Sequence, residues 1–430
     1  MQKSVMTKAV ALALTTLSVG AAFAQSSVTI YGVLDVGIDN IHKNTGLTAL
    51  NTPAAASTVT RVSPSTSTQS ELGIKGVEDM GGGYKGNFVL EGQFSADTGA
   101  QNGQDSRMWG RQAYIGLTMP IGEVRLGRQY APIFYNFAIT TVESIGSTDM
   151  MASGLAVQNL QIRQDNQLSY WLQSDGLTAA LSFSPNAGVA QKVDAMRAPY
   201  ASTSTGQILG GATAGDENSA GRGRTFGLFL NYAMDPALSL NAGYHRNSFG
   251  DAQVGFYPLA AYPAGTFLPF YSADTYKAYA LGAKYTAPNV GTNIAAIFHR
   301  GEFTNDAGSA EGPKVNTLAF GVKQPIDKFA VGAEFVYSKF VNFTKGKDLG
   351  VMLAGDYNFS KRTCIYTRVG FVRDSAGRAS ATDTKGVNLI GGPLPILTTL
   401  GSTEIPFAAG AGANAGAMTT LVSVGISHSF

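Results

Sequence analysis

Few residues in this chain have the types and spacing to do chemistry. The four histidines, at positions 42, 245, 299 and 428, are scattered with no spacing that would hold a metal. Cys364 is the only cysteine, so no internal disulfide can form, and an ordinary strand position suits it better than a nucleophile or ligand role. Gly81-Gly82-Gly83-Tyr84-Lys85-Gly86 fits G-x-G-x-x-G, but a dinucleotide site needs that run to open a helix, and here a strand pattern follows. The run is therefore a hairpin turn. No Ser/His/Asp set and no carboxylate pair stands out, so the sequence offers no catalytic, metal or cofactor site. What remains is a set of charges. Arg111 lies in Gly110-Arg111-Gln112-Ala113-Tyr114, Arg128 in Leu126-Gly127-Arg128-Gln129-Tyr130, and Arg163 stands just ahead of Asn166-Gln167-Leu168. They frame residues 131–164, whose main acids are Glu143 and Asp149 and whose apolar residues include Ile133, Phe134, Phe137, Ile139, Met150 and Met151. A loop this apolar should pack inside something.

The elements that would position these charges are strands. From Met418 to Phe430, Met418, Thr420, Val422, Val424, Ile426, His428 and Phe430 share one face, and small polar residues share the other. Such period-2 alternation marks a pleated strand with one greasy side, and about 9–11 tilted residues cross a bilayer. The first strand, Ser27 to Asn40, sets Val28, Ile30, Leu34, Val36 and Ile38 against Thr29, Tyr31, Asp35 and Asp39. Between these two lie seven pairs joined by tight turns rich in Gly, Pro, Asp or Asn, such as Ser174-Asp175-Gly176 and Pro325-Ile326-Asp327. With the first and last strands this makes sixteen. Thr45 to Ser67 reads as a loop, and so do the long connections 131–164, 184–224, 249–274 and 375–417. Short and long connections alternate strictly. A transmembrane barrel with short periplasmic turns and long external loops requires that alternation, and closure leaves no bare backbone edge in lipid. Aromatics cluster near strand ends (Tyr31, Tyr130, Tyr170, Trp171, Tyr232, Tyr357, Phe359, Phe430), where rings with polar tips favour the membrane boundary, although some should be packing residues.

Composition agrees. Charged residues make up 14%, against about 25% in soluble proteins. Lys3 and Lys8, the apolar run Ala9 to Val19 and Ala22-Phe23-Ala24 form a signal peptide, residues 1–24, with cleavage expected before Gln25. Removing it takes two lysines and no acids, leaving 31 − 2 = 29 basic against 29 acidic residues, so the formal +2 gives no reason to expect nucleic acid. The rest, 25–430, reads as a single barrel domain.

With Val28-Thr29-Ile30-Tyr31-Gly32, Gly73-Ile74-Lys75-Gly76-Val77-Glu78-Asp79, Gly127-Arg128-Gln129-Tyr130, Arg163 before Asn166 and the terminal Phe430, the chain resembles the general trimeric porins of Gram-negative outer membranes, in their β-proteobacterial branch. The resemblance implies an all-β, 16-stranded antiparallel transmembrane barrel whose third external loop, 131–164, folds into the lumen. It implies passive diffusion of ions and small hydrophilic solutes, or, alternatively, a pore selective for a sugar or a specific anion. The expected partners are two further copies in a homotrimer, outer-membrane lipid and lipopolysaccharide, and the barrel-assembly machinery, for which Phe430, His428 and Ile426 would be the signal. The wall arginines carried over are Arg111 and Arg163, with Arg128 nearby, facing the loop acids Glu143 and Asp149. Such opposed rows set a transverse field at the narrowing, and they also brace the loop by ion pairs. One departure concerns Glu71, which should share the lumen face with Gly73 and Lys75 where the family usually has Arg. That exchange takes two units of positive charge off the wall and weakens the anion preference common in the branch.

Overall fold

Alternating segments become a wall with two chemistries. The computed structural model describes residues 26–43, 46–47, 53–54, 56–63, 67–101, 107–140, 162–187, 223–248, 254–256, 271–273, 275–304, 314–342, 347–375, 381–382, 388–389 and 418–430. The expected signal segment, 1–24, lies outside the described residues. In chain order the wall strands are β1 (Ser27–Lys43), β2 (Ser57–Ser63), β3 (Glu71–Gly81), β4 (Tyr84–Gln93), β5 (Gln112–Met119), β6 (Gly122–Tyr130), β7 (Arg163–Ser174), β8 (Leu177–Ser184) and β9 (Arg224–Ala233). They continue as β10 (Leu238–Ser248), β11 (Thr275–Thr286), β12 (Asn293–Thr304), β13 (Lys314–Ile326), β14 (Phe329–Asn342), β15 (Lys347–Asn358), β16 (Thr363–Ser375) and β17 (Met418–Ser429).

From β3 onward each strand pairs antiparallel with its successor, ending with β16 on β17. The last strand returns to the first: Val33 lies opposite Ser429 and Lys43 opposite Thr419. Phe430 completes the seam, its N–H donating to the Gly32 carbonyl at 3.0 Å and its carbonyl accepting from Gly32 N–H at 3.2 Å. β2 and β3 are two halves of one stave, β2 pairing residues 37–43 of β1 and β3 pairing residues 27–33. Sixteen staves therefore close into one antiparallel barrel.

That split stave corrects two expectations. Part of the segment read as a loop, 45–67, is strand: Ser57–Ser63 extends the wall beside residues 37–43, and β1 runs on past Asn40 to Lys43. Ser70 spans the break. Its hydroxyl accepts from Asp35 N–H at 2.9 Å and donates to the Asp35 carbonyl at 3.1 Å, satisfying the β1 groups that no strand residue meets. The G-x-G-x-x-G run is the expected hairpin, with Gly81, Gly82 and Gly83 all at positive φ (80°, 64° and 84°) between β3 and β4.

The faces sort as the alternation requires. On β1, Ile38 is 61% exposed and its neighbour Asp39 is 0%. Leu72, Ile115, Leu168, Leu230, Leu281, Leu318, Leu353 and Val424 carry the apolar face around the circumference. Such a continuous exposed apolar surface is rare on a soluble monomer and belongs in lipid. Among the described residues no helix is long and apolar enough to cross a membrane.

Candidate functional site

The lumen is built from two facing walls. One side is a floor for the third external loop. That loop leaves β6 at Tyr130 and turns at once into a short helix, α1 (Phe134–Thr140), which packs on β9, β10, β11 and β12 inside the barrel. Glycines make room for it. A Cβ at Gly227 would lie 2.8 Å from Pro132, one at Gly282 would lie 2.5 Å from Thr140, and one at Gly243 would overlap Asn136. Asn136 Nδ2 donates to Asn241 Oδ1 at 2.8 Å, Tyr135 meets Trp171 edge-on at 4.8 Å, and Phe137 lies 5.4 Å from the His299 ring. Ala131, Ile133 and Phe137 are buried, as the loop's apolar content requires. Trp171 and Tyr130, two residues of the aromatic clusters at strand ends, thus turn inward to serve packing. Glu143 and Asp149, the expected loop acids, lie outside the described residues.

The other side is charged. Arg111 is its hub. Its Nη2 lies 2.6 Å from Glu71 Oε2, its Nε 2.7 Å from Glu91 Oε1, and its Nη1 donates to Gln69 Oε1 at 2.9 Å. Tyr31 donates its hydroxyl proton to Glu91 Oε2 at 2.7 Å, and Lys75 Nζ sits 5.0 Å from the Tyr31 ring centre. The Tyr130 ring takes the guanidinium of Arg163 at 5.1 Å and that of Arg111 at 6.0 Å. Glu71, Lys75, Arg111 and Arg163 are therefore brought together on one wall. Glu71, Glu91, Lys75, Arg111 and Arg163 sum to 3 − 2 = +1. Glu71 is engaged: it and Glu91 grip one guanidinium between them, so the negative charge brought by Glu71 is spent largely on Arg111.

Arg128 goes elsewhere. Gly127, at φ 129°, breaks the β6 register, and the side chain after it swings out of the strict alternation. Arg128 Nη1 reaches Asp165 Oδ1 at 2.5 Å and its Nε donates to the Gly110 carbonyl at 2.7 Å, while Arg107 Nη1 lies 2.7 Å from the same carboxylate oxygen. This cluster ties the return of the second loop to the start of β7. It is a brace beside the charged wall.

Two further groups of lumen charges escaped the motif reading. Arg125 holds Glu123 at 2.8 Å and lies 4.9 Å from the Trp171 ring and 5.2 Å from Tyr114. Arg368, wholly buried, holds Asp356 at 2.7 Å and donates to Ser67 Oγ at 2.8 Å, and Lys323 lies 3.5 Å from Asp356. Tyr366, beside it, donates to Asp35 Oδ1 at 2.7 Å. Inward parity was the available signal for both arginines: Arg125 alternates with Glu123, and Arg368 with Tyr366. Among the described residues no group of His, Cys, Asp and Glu is placed to hold a metal ion.

The C-terminal residues are in the wall. Ile426, His428 and Phe430 all point outward and are exposed, and Thr363 Oγ1 bonds His428 Nδ1 at 2.9 Å across the β16–β17 seam.

Comparison with known proteins places this architecture. A family model described as Gram-negative porin matches residues 9–377. Outer membrane porin protein 32 of Delftia acidovorans is 25% identical over 422 residues, covering 96% of each chain. An outer membrane porin of Bordetella pertussis is 28% identical over 392 residues, 85% of this chain and 94% of that one. Among solved structures, the anion-selective porin from Comamonas acidovorans superposes with a TM-score of 0.64 at 22% identity, over 94% of this chain and 100% of that one.

Proposed function

The chain belongs to the Gram-negative porin family, and from that premise we propose how its lumen works. As a porin it resides in the outer membrane and passes ions and small hydrophilic solutes by diffusion through a water-filled barrel. In our reading the narrowing lies between α1 on one wall and Arg111 with Glu71, Glu91, Lys75 and Arg163 on the other. Solute crossing there meets a transverse field from charges held rigidly by short ion pairs, and this field orients dipoles and turns back greasy molecules. Glu143 and Asp149 would extend the field from the loop side. The protein conducts and carries out no catalysis in this reading.

The observation that carries the proposal is the chelation of Arg111 by two carboxylates. A bare guanidinium ladder would favour anions strongly. One neutralised from both sides leaves the small net charge of +1 on that wall and hence a weak anion preference. The anion-selective porin from Comamonas acidovorans shares the fold, and a more selective anion pore is the second reading.

Conductance in planar bilayers tests both. Stepwise ohmic openings are expected, and a silent bilayer from folded protein would overturn the pore. Under a salt gradient the wild type should show a small anion-directed reversal potential. Glu71→Gln should raise the anion-to-cation permeability ratio by about fivefold, the worth of about 1 kcal/mol for one charge at about 4 Å in open water. No movement would take Glu71 out of the ion path.

We further propose that residues 1–24 are removed on export, that Ile426, His428 and Phe430 present the strand read by the barrel-assembly machinery, that three copies assemble, and that lipopolysaccharide surrounds them. Migration on a denaturing gel with and without heating tests the trimer.

A further inference from the structure

The second stave is interrupted, and at the interruption the chain turns inward. β2 ends at Ser63, opposite Gly37 of β1, and β3 begins at Glu71, opposite Val33. Residues 64–70 thus cover in seven residues what Leu34, Asp35 and Val36 cover in three, so they cannot all stay in the plane of the wall. One way out of that plane is lipid and the other is the lumen. Residues 67–70 take the inner way. Ser67 Oγ accepts from Arg368 Nη2 at 2.8 Å. Arg368 stands on β16, three strand spacings round from this stave, about 14 Å along the wall. The bond forms because Ser67 lies over the inner face of the strands between. On the other side Gln69 Oε1 accepts from Arg111 Nη1 at 2.9 Å, and Arg111 immediately precedes β5, two strands away in the opposite direction. Ser70 anchors the end of this strap: besides its two bonds to Asp35, its carbonyl accepts from Phe94 N–H at 3.1 Å.

One strap therefore ties the Arg368 cluster to the Arg111 cluster across the inside of β1. The inner face of the seam beside it is lowered to fit. A Cβ at Gly425 would overlap the Tyr366 hydroxyl and one at Gly37 would lie 3.0 Å from it, and that hydroxyl passes both glycines to reach Asp35 Oδ1 at 2.7 Å. Thr68 sits between two residues tied to wall arginines and is itself exposed, so its exposure is to the lumen. α1 packs on strands seven to ten staves on from β1, about half-way round the barrel. The strap and α1 thus enter the lumen from opposite sides.

We propose that residues 67–70 are a second selectivity element of the pore, with Thr68 in contact with passing solute and Ser67 and Gln69 as positioning residues. Ser67 and Gln69 each give a guanidinium a neutral oxygen, which fixes the cation without cancelling its charge. Glu71 and Glu91 act differently, since they cancel the charge they fix. Taking the two neutral oxygens away leaves Arg111 and Arg368 with one donor each to offer to a passing anion. The inference rests on the porin reading, which fills the lumen with water.

Planar-bilayer recordings of the mature protein under a salt gradient test it. Cys364→Ser/Thr68→Cys carries its one thiol on the strap. Sulfonatoethyl methanethiosulfonate should lower its anion-to-cation permeability ratio by about fivefold, the effect of one charge at about 4 Å in open water, and trimethylammonioethyl methanethiosulfonate should raise it as much. Cys364→Ser alone, with no thiol, sets the baseline. Thr68→Glu and Thr68→Lys should move the reversal potential in the same two directions without any reagent, so a folding defect in one variant leaves the others informative. Ser67→Ala/Gln69→Ala should shift it toward anions by less, and Ser67→Thr, which keeps the hydroxyl, should match the wild type. Conducting variants at residue 68 whose reversal potential none of these charges moves would overturn the inference alone. A folded wild type that stays silent in the bilayer would overturn the pore reading, and this inference with it.

Discussion

The two inner walls hold the lumen in opposite ways. On the β9–β12 side the sequence withdraws side chains: Gly227, Gly243 and Gly282 leave a floor on which α1 lies through close packing and one amide–amide bond. On the β3–β5 side it projects long charged side chains and ties them to one another, Arg111 to Glu71 and Glu91. One wall positions by absence and the other by charge. The first should yield to added volume and the second to removed partners, and each should be insensitive to the other's perturbation.

Arg111→Ala should break the comparison most forcefully. It leaves Glu71 and Glu91 facing each other with their shared cation gone. Removing one member of a buried charge set costs about 3–5 kcal/mol. We expect a lower thermal midpoint for barrel unfolding and a reversal potential shifted toward cations, with α1 still seated. Unchanged stability would mean that the ion pairs contribute little to the wall.

Gly243→Val should act next most strongly, and on the other wall. Its side chain would collide with Asn136, and overpacking of this kind costs about 1–3 kcal/mol. Lifting α1 from the wall is the easiest relief. Larger, noisier single-channel steps with little change in ion preference are expected, while steps identical to the wild type would show that α1 does not limit the pore.

The contrast also marks what was legible in the sequence. Hydrophobic parity gave the barrel, its seam and its turns, because each strand must offer grease to lipid and polar groups to water. It also placed Glu71 and Lys75 on the lumen face. It could not give Arg128, since a single break at Gly127 changes where the next side chain points without altering the pattern of residue types. Nor could it show β2 as wall: Ser57–Ser63 is too polar and short to announce a strand, and only pairing with β1 makes it one. The pairing of Arg368 with Ser67 joins residues 301 apart and has no local signature.

Tyr31→Phe is the gentlest way to sharpen the comparison. It keeps the ring under Lys75 and removes only the hydroxyl that donates to Glu91 Oε2. A hydrogen bond to a charged acceptor is worth about 1.5–3 kcal/mol at most, and water entering the lumen can replace this one, so a net loss of about 1 kcal/mol is expected. With Tyr31 silent, Glu91 must rely on Arg111 alone, and the guanidinium should turn toward Glu91 and away from Glu71. A freed Glu71 would then draw the reversal potential slightly toward cations, a change opposite in sign to that of Glu71→Gln. In the double variant Tyr31→Phe/Glu71→Gln the tyrosine effect on selectivity should vanish, because the carboxylate that transmits it is gone. If the two shifts simply add, Tyr31 acts on the passing ions by some route other than the Glu91–Arg111–Glu71 chain.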